Sequence, residues 1–472
     1  MLMISIDPGS KEPIYEQIYK HIREEIKAGQ ITCGTRLPST RSLADHLEVS
    51  RNTIDMAYGQ LLSEGYIESL PKKGYYVCDL ETLYLEGITV RDTAHRKDRP
   101  VQTQDTVEYA VDFSLNGVDM DYFPYDKWRK LMRECLMDDN KDLFLSGSHQ
   151  GDLELRRAVG DYLYQSRGVR CEPSQIVIGA GSDYMLLLLS RILTGSLKIA
   201  MENPAYMQAY TIFQSLGYSV TPVSLDDQGI GMNRIEQCDP DIVYVTPSHQ
   251  FPLGTVMSAK RKLQLLAWAG KKENRYIIED DYDSEFRYFG RPIPALQSQD
   301  PFERVIYIGT FSKAVAPGIR LSYMVLPKPL EELYRERAGF YFSTVSRIDQ
   351  NIICHFLQQG HFERHLNRMR KVYKAKHDIL LQQLRESGIG MRIAGESAGL
   401  HLLLQFGGKQ SGADRIERSL TAAAGRAGVK VYPLSGYYIT EEERIPTILI
   451  GFARLKEEQL VEGVERLKRA WR

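Results

Sequence analysis

The sequence predicts a multidomain chain: a small helix-turn-helix unit ending in a β-wing, then a large α/β domain with a mostly parallel central sheet. Three observations carry that prediction. At 472 residues the chain is too long for one simple core. Residues 1–78 hold helical periodicities around a tight turn, followed by two short alternating runs. Beyond residue 112, β-rich apolar runs alternate with helical stretches, as in sheets covered by helices on both faces.

Ile14, Ile18, Ile22 and Ile26 recur at steps of four, which predicts a packing helix with one apolar face. "TRSLADHLEVSRNTIDMAYGQLLSEGY" then reads as a short helix burying Leu43, Ala44 and Leu47, a turn at Glu48 to Ser50, and a second helix burying Ile54, Ala57, Tyr58, Leu61 and Leu62. Ser50 is placed to cap that second helix, so Arg51, Asn52 and Thr53 fill its first turn, where phosphates and base edges are met. "YIESLPKKGYYVCD" reads as two strands around a turn tipped by Lys72 and Lys73.

Composition narrows the function classes without choosing one. The net charge is −1, and residues 1–78 hold nine Lys/Arg against ten Asp/Glu, so a DNA partner rests on local arrangement alone. The longest apolar patch, "YMLLLLSRIL", is far shorter than a membrane span. The amino terminus lacks the basic-then-apolar order of a signal peptide, and six scattered cysteines form no C-x-x-C pair. A cytoplasmic protein with no membrane anchor, no disulfide framework and no structural metal is expected.

"LPSTRSLADHLEVSRNTIDMAYGQLLSEGYIESLPKKGYYV", residues 37–77, resembles the GntR-type winged helix-turn-helix. The resemblance implies that Ser39 and Arg41 hold phosphate or base at the first helix of the pair. It sends Ser50, Arg51, Asn52 and Thr53 into the major groove of double-stranded operator DNA, and Lys73 and Gly74 to the minor groove or backbone. Asp55 departs from the often basic family position, and a carboxylate there repels phosphate, so weak monomeric binding and paired half-sites are expected.

Residues 79–111 show no steady period and are mostly polar, which reads as a linker or as an arm packed on the next domain. From residue 112 to 472 the apolar runs are "QIVIGAG", "LKIAMENP", "SVTPVSL", "DIVYVTPSHQ", "RYIIEDDYD", "RVIYIGTFSK" and "IRLSYMVL". In such sheets ligands sit off the carboxyl ends of the strands. "GAGS" opens a helix, so Gly181 and Ser182 offer N–H groups to a phosphate; a plain tight turn is the alternative. "IIEDDYD" ends a buried strand in three acids, which calls for a metal, a basic side chain or a protonated heterocycle. "GTFSKAVAPGIR" puts Lys313 at a strand mouth, where a desolvated amine forms a Schiff base, with Arg320 following. The set as a whole suits pyridoxal 5'-phosphate.

From about Val111 onward the chain resembles fold-type-I aminotransferases. The resemblance implies a covalent Schiff base on Lys313, a pyridine-nitrogen carboxylate in Asp280, a ring-oxygen partner in Tyr282 and a ring-stacking Tyr206. Gly181, Ser182, Ser312 and Arg320 would hold the phosphate. In "TPSHQFPLGT", His249 or Gln250 takes the place of an asparagine near the ring oxygen. The combined order resembles the MocR/GabR group of bacterial regulators and implies a homodimer that senses pyridoxal phosphate, or an amine or amino-acid effector that condenses with it. A working aminotransferase that carries a DNA-binding domain is the alternative, and a cofactor-free dimerisation scaffold a third. Leu449 stands where many aminotransferases carry a carboxylate-gripping arginine, which favours regulation, although Arg454 offers a substitute cation.

Overall fold

The computed structural model describes residues 4, 6–7, 9–10, 12–79, 109–288 and 292–472, without the side chain of residue 138. The described chain divides into two compact units, one before and one after residues 80–108.

The small unit packs helix Arg51–Ser63 against helices Ile14–Lys27 and Thr40–Leu47. Ile18, Ile22 and Ile26 are buried as the periodicity predicts, but Ile14, one residue after the N-cap Pro13, is 38 % exposed. The turn between the helix pair is made by Glu48 at φ +54°, a left-handed residue that ends the first helix. Tyr58 is fully buried and its hydroxyl donates to the Pro38 carbonyl at 3.0 Å, fixing the third helix to the loop before the second. Strands β1 (Ile67–Leu70) and β2 (Gly74–Val77) pair antiparallel, Ile67 opposite Val77 and Leu70 opposite Gly74. This is the wing that the alternation predicts.

In the large unit, β3 (Val111–Asp112) comes first, and the seven apolar runs become strands: β4 (Ile176–Gly179), β5 (Lys198–Asn203), β6 (Ser219–Asp226), β8 (Ile242–Val245), β9 (Tyr276–Asp281), β10 (Val305–Thr310) and β11 (Ser322–Val325). With β7 (Gly229–Ile230) they form an eight-stranded sheet of order β4-β11-β10-β9-β8-β5-β6-β7. β10, β9, β8, β5 and β6 run parallel, and two successive antiparallel pairings through β11 bring β4 into the same direction. Their carboxyl ends therefore share one edge of the sheet. Residues alternate between two cores: Ile306 and Ile308 pack with Ile278 on one face, whereas Ile277 and Val305 pack on the other.

A second sheet, of order β12-β13-β16-β15, is made from β12 (Arg392–Ala394), β13 (His401–Gln405), β15 (Tyr432–Pro433) and β16 (Thr447–Gly451). β14 (Val429–Lys430) pairs parallel with β3, so Val111 belongs to the large unit rather than to the segment read as a linker. Most of that segment, residues 80–108, lies outside the described residues. No helix among the described residues is long and apolar enough to cross a membrane.

Candidate functional site

The second helix of the helix pair begins with the cap that the sequence indicates. Ser50 Oγ accepts from the Thr53 N–H at 3.2 Å and lies 2.8 Å from Thr53 Oγ1. Ser39 likewise caps the preceding helix, accepting from Ser42 N–H at 3.1 Å. Both hydroxyls are thus engaged in holding helix ends, while Arg41, Arg51 and Asn52 remain exposed. Asp55 lies 3.6 Å from Arg51 in an exposed i,i+4 ion pair, so its first effect is to divert the arginine. Lys72 and Lys73 are exposed in the wing turn, and Gly74 at φ +105° lies beside the Arg36 guanidinium, a cation the sequence reading did not single out.

In the large unit the acidic strand end resolves by alternation along β9. Glu279 and Asp281 face away from Asp280, and each finds its own partners. Glu279 accepts from the backbone N–H of Leu296 and Gln297 at 2.8 and 2.9 Å. Asp281 accepts from Arg167 Nε at 2.8 Å and from the Tyr307 hydroxyl, all of it buried. Asp280 has no such cation among the described residues. It is 6 % exposed, accepts from the Tyr244 hydroxyl, and its carboxyl is pushed up to about 7 by burial, with neighbouring carboxylates adding to the shift.

Asp280 lines a cavity of about 270 Å³ together with Tyr206, Tyr282, Ser182, Ser312, Lys313 and Arg320. The Lys313 amine donates to the Leu115 carbonyl at 2.6 Å, and burial lowers its pKa, partly offset by Asp283. Gly181 caps the helix Ser182–Ile192 at φ +93°, and a Cβ there would lie 2.2 Å from Arg320 Nη2. Only glycine lets the guanidinium lie against that helix start. Tyr206 donates to Gln208 Oε1 at 2.9 Å and meets Phe251 edge-on at 5.7 Å.

His249 and Gln250 lie behind the cavity wall. Neither lines the cavity. His249 is buried with Asp283, Nδ1 lying 2.9 and 3.0 Å from the two carboxylate oxygens, and 2.9 Å from the hydroxyl of Tyr282, which lines the cavity. Its ring is packed so tightly that a Cβ on Gly399 would sit 2.1 Å from it. Gln250 turns to the Pro204 and Phe251 carbonyls at 2.9 and 2.7 Å. Thr246 and Phe251, from the same segment, face the cavity instead, as do Asn116 and Asp183. Thr246 was within reach of the strand-end rule, since it directly follows β8; Asn116 comes from a stretch without pattern.

The cavity thus combines a buried carboxylate, a helix start beside an arginine and hydroxyls, and a lysine whose amine is held by a carbonyl.

Residues 111–467 match the family model for aminotransferase class I and II, and residues 14–77 match that for bacterial regulatory proteins, gntR family. The HTH-type transcriptional regulator YdeL of Bacillus subtilis is 40% identical over 98% of this chain and 97% of its own length. The probable rhizopine catabolism regulatory protein MocR of Rhizobium meliloti is 32% identical over 99% and 96%. The pyridoxine biosynthesis regulator PdxR of Corynebacterium glutamicum is 30% identical over 93% and 91%. Among solved structures, a multiple substrate aminotransferase from Thermococcus profundus superposes with a TM-score of 0.68 at 25% identity, over 78% of this chain and 92% of that one.

Proposed function

Because the chain belongs to the MocR/GabR group, in which a GntR winged helix precedes an aminotransferase-like domain, we propose that its large domain uses Lys313 to hold pyridoxal 5'-phosphate. Through it the regulator would respond to that cofactor or to a small amine or amino-acid effector. One observation carries the reading: Asp280, a buried carboxylate without a cation partner among the described residues, shares a cavity with a lysine of lowered pKa, Lys313.

When bound, the cofactor supplies an aldehyde that condenses reversibly with amines. Lys313 presents an amine whose neutral, nucleophilic form is favoured by burial. Asp280 offers its charge to a protonated ring nitrogen, which would relieve the cost of a carboxylate buried beside Asp281 and Asp283. Tyr282 directs its hydroxyl between the cavity and His249. Tyr206 and Phe251 line the cavity where they would flank the ring, and the Ser182 helix start, Ser312 and Arg320 would offer donors to the phosphate.

Regulation is favoured over turnover by residue 449. Leu449 is fully buried in β16, opposite Leu403 and Tyr432, and has no donor for a substrate carboxylate. The alternative, an active aminotransferase with a DNA-binding unit, draws on the likeness to solved aminotransferases. A homodimer is part of the proposal, supported by Phe340 and Phe342, which are 61 and 60 % exposed. Six free cysteines accord with a cytoplasmic location.

The test is a gel shift on DNA upstream of the gene or its neighbour, with wild type and Lys313→Ala. Specific binding survives the substitution while its response to cofactor or amine disappears; specific binding by neither protein removes the proposal.

A further inference from the structure

The phosphate end of the cavity contains an acid as well as its cation. Asp183, in the first turn of helix Ser182–Ile192, lines the cavity with Ser182 and Arg320. Its Oδ2 lies 3.2 Å from Arg320 Nη2, in a pair whose side chains are 34 and 53 % exposed. The same guanidinium nitrogen is pressed against Gly181, where a Cβ would come within 2.2 Å. Arg320 itself is held at φ +51°, in the left-handed region. Backbone, glycine and carboxylate therefore all constrain one guanidinium. The Asp183 charge is also felt across the cavity, since it contributes to the upward shifts at Asp280 and Tyr206.

A helix N-terminus and an arginine form an anion site, and here a carboxylate of the chain itself already engages the arginine. A phosphate dianion entering that place must break the ion pair and then sit close to a like charge. The pair is partly exposed and screened, so it yields to a phosphate but at a cost in affinity.

We infer that Asp183 is a built-in competitor for the phosphate cradle: its carboxylate holds Arg320 until a phosphate-bearing ligand displaces it, and so keeps that ligand exchangeable. The inference rests on the proposed pyridoxal phosphate site and names the residue that sets how firmly it is held. A regulator that reports a ligand's concentration needs such release, whereas an enzyme with a resident cofactor gains nothing from it.

The experiment uses the full-length protein in two titrations. Pyridoxal 5'-phosphate is added to wild type, Asp183→Asn and Arg320→Gln while absorbance of the bound form is read; inorganic phosphate is added to the same three while Tm is read. Asp183→Asn is expected to bind pyridoxal phosphate about fivefold more tightly and to gain more Tm from inorganic phosphate than wild type. Arg320→Gln is expected to lose both responses. Equal or weaker binding of both ligands by Asp183→Asn overturns the inference and makes the carboxylate a support for Arg320. If no protein takes up pyridoxal phosphate but Asp183→Asn alone gains Tm with inorganic phosphate, the cradle inference stands and the proposed cofactor fails.

Discussion

At Asp280 the proposed function and stability oppose each other. A carboxyl whose folded pKa is raised to about 7 from 3.8 contributes stability in full below the unfolded value and loses it as pH rises through the folded one. The cofactor-free protein therefore carries the cost of a buried charge in alkaline solution. Asp280→Asn keeps an acceptor for the Tyr244 hydroxyl and removes that charge. Its stabilisation of the cofactor-free protein should be larger near pH 9 than near pH 5 by about 1–4 kcal/mol, read from denaturant unfolding at the two pH values. The same variant should bind pyridoxal phosphate more weakly. A gain that does not change with pH would show that the carboxyl is not the titrating group. Lys313, Asp280 and Arg320 were legible in the sequence because each ends or follows a long apolar run. The fate of His249 was not: the Asp283 that draws it away from the cavity lies 34 residues on, and only the fold brings the two together.

Elements with a strong period were read well, and those without one were missed. The seven apolar runs all became strands of the main sheet; β4, β8, β9 and β11 are buried along their whole length, whereas in β6, next to the edge strand β7, Val223 is the one buried residue. The two-residue β14 and β15, and the pairing of β3 with β14, carry no period to read. In the small unit the sequence marked Ser50 as a helix cap, which the structure bears out, whereas Ser39, read only as a contact for phosphate or base, caps the preceding helix as well. Ser50→Ala should cost about 1 kcal/mol of stability in thermal unfolding, because it leaves the Thr53 N–H without its acceptor. The helix that Ser50 caps also carries a self-imposed charge pair. Asp55→Asn frees Arg51 and removes a negative charge from the face proposed to meet DNA. Its affinity for DNA should rise about twofold or more at moderate salt, and the salt dependence of log K should steepen. Unchanged affinity would mean that this face does not meet the phosphates.

For the whole molecule, the order of two sequence patterns was more informative than composition. A charge of −1 and an even balance in the first 78 residues gave no sign of a DNA partner. The winged helix and the strand-end lysine, read together, gave the organisation that relatives share over more than nine-tenths of their length. Exposed Phe340 and Phe342 in one turn make a surface suited to a second copy. Sedimentation should return about twice the 54.0 kDa chain mass for wild type, and Phe342→Asp should shift the equilibrium toward the monomer. A wild-type protein that stays monomeric at micromolar concentration would remove the dimer from the account.

The central claim is the covalent hold of Lys313 on a pyridoxal aldehyde. Incubating the purified protein with pyridoxal 5'-phosphate, reducing with borohydride and mapping the adduct by peptide mass spectrometry tests it directly. The account predicts one stoichiometric phosphopyridoxyl group on Lys313, absent from Lys313→Ala. A protein that stays unlabelled, or that carries the label on scattered surface lysines while Lys313 is unmodified, would contradict it.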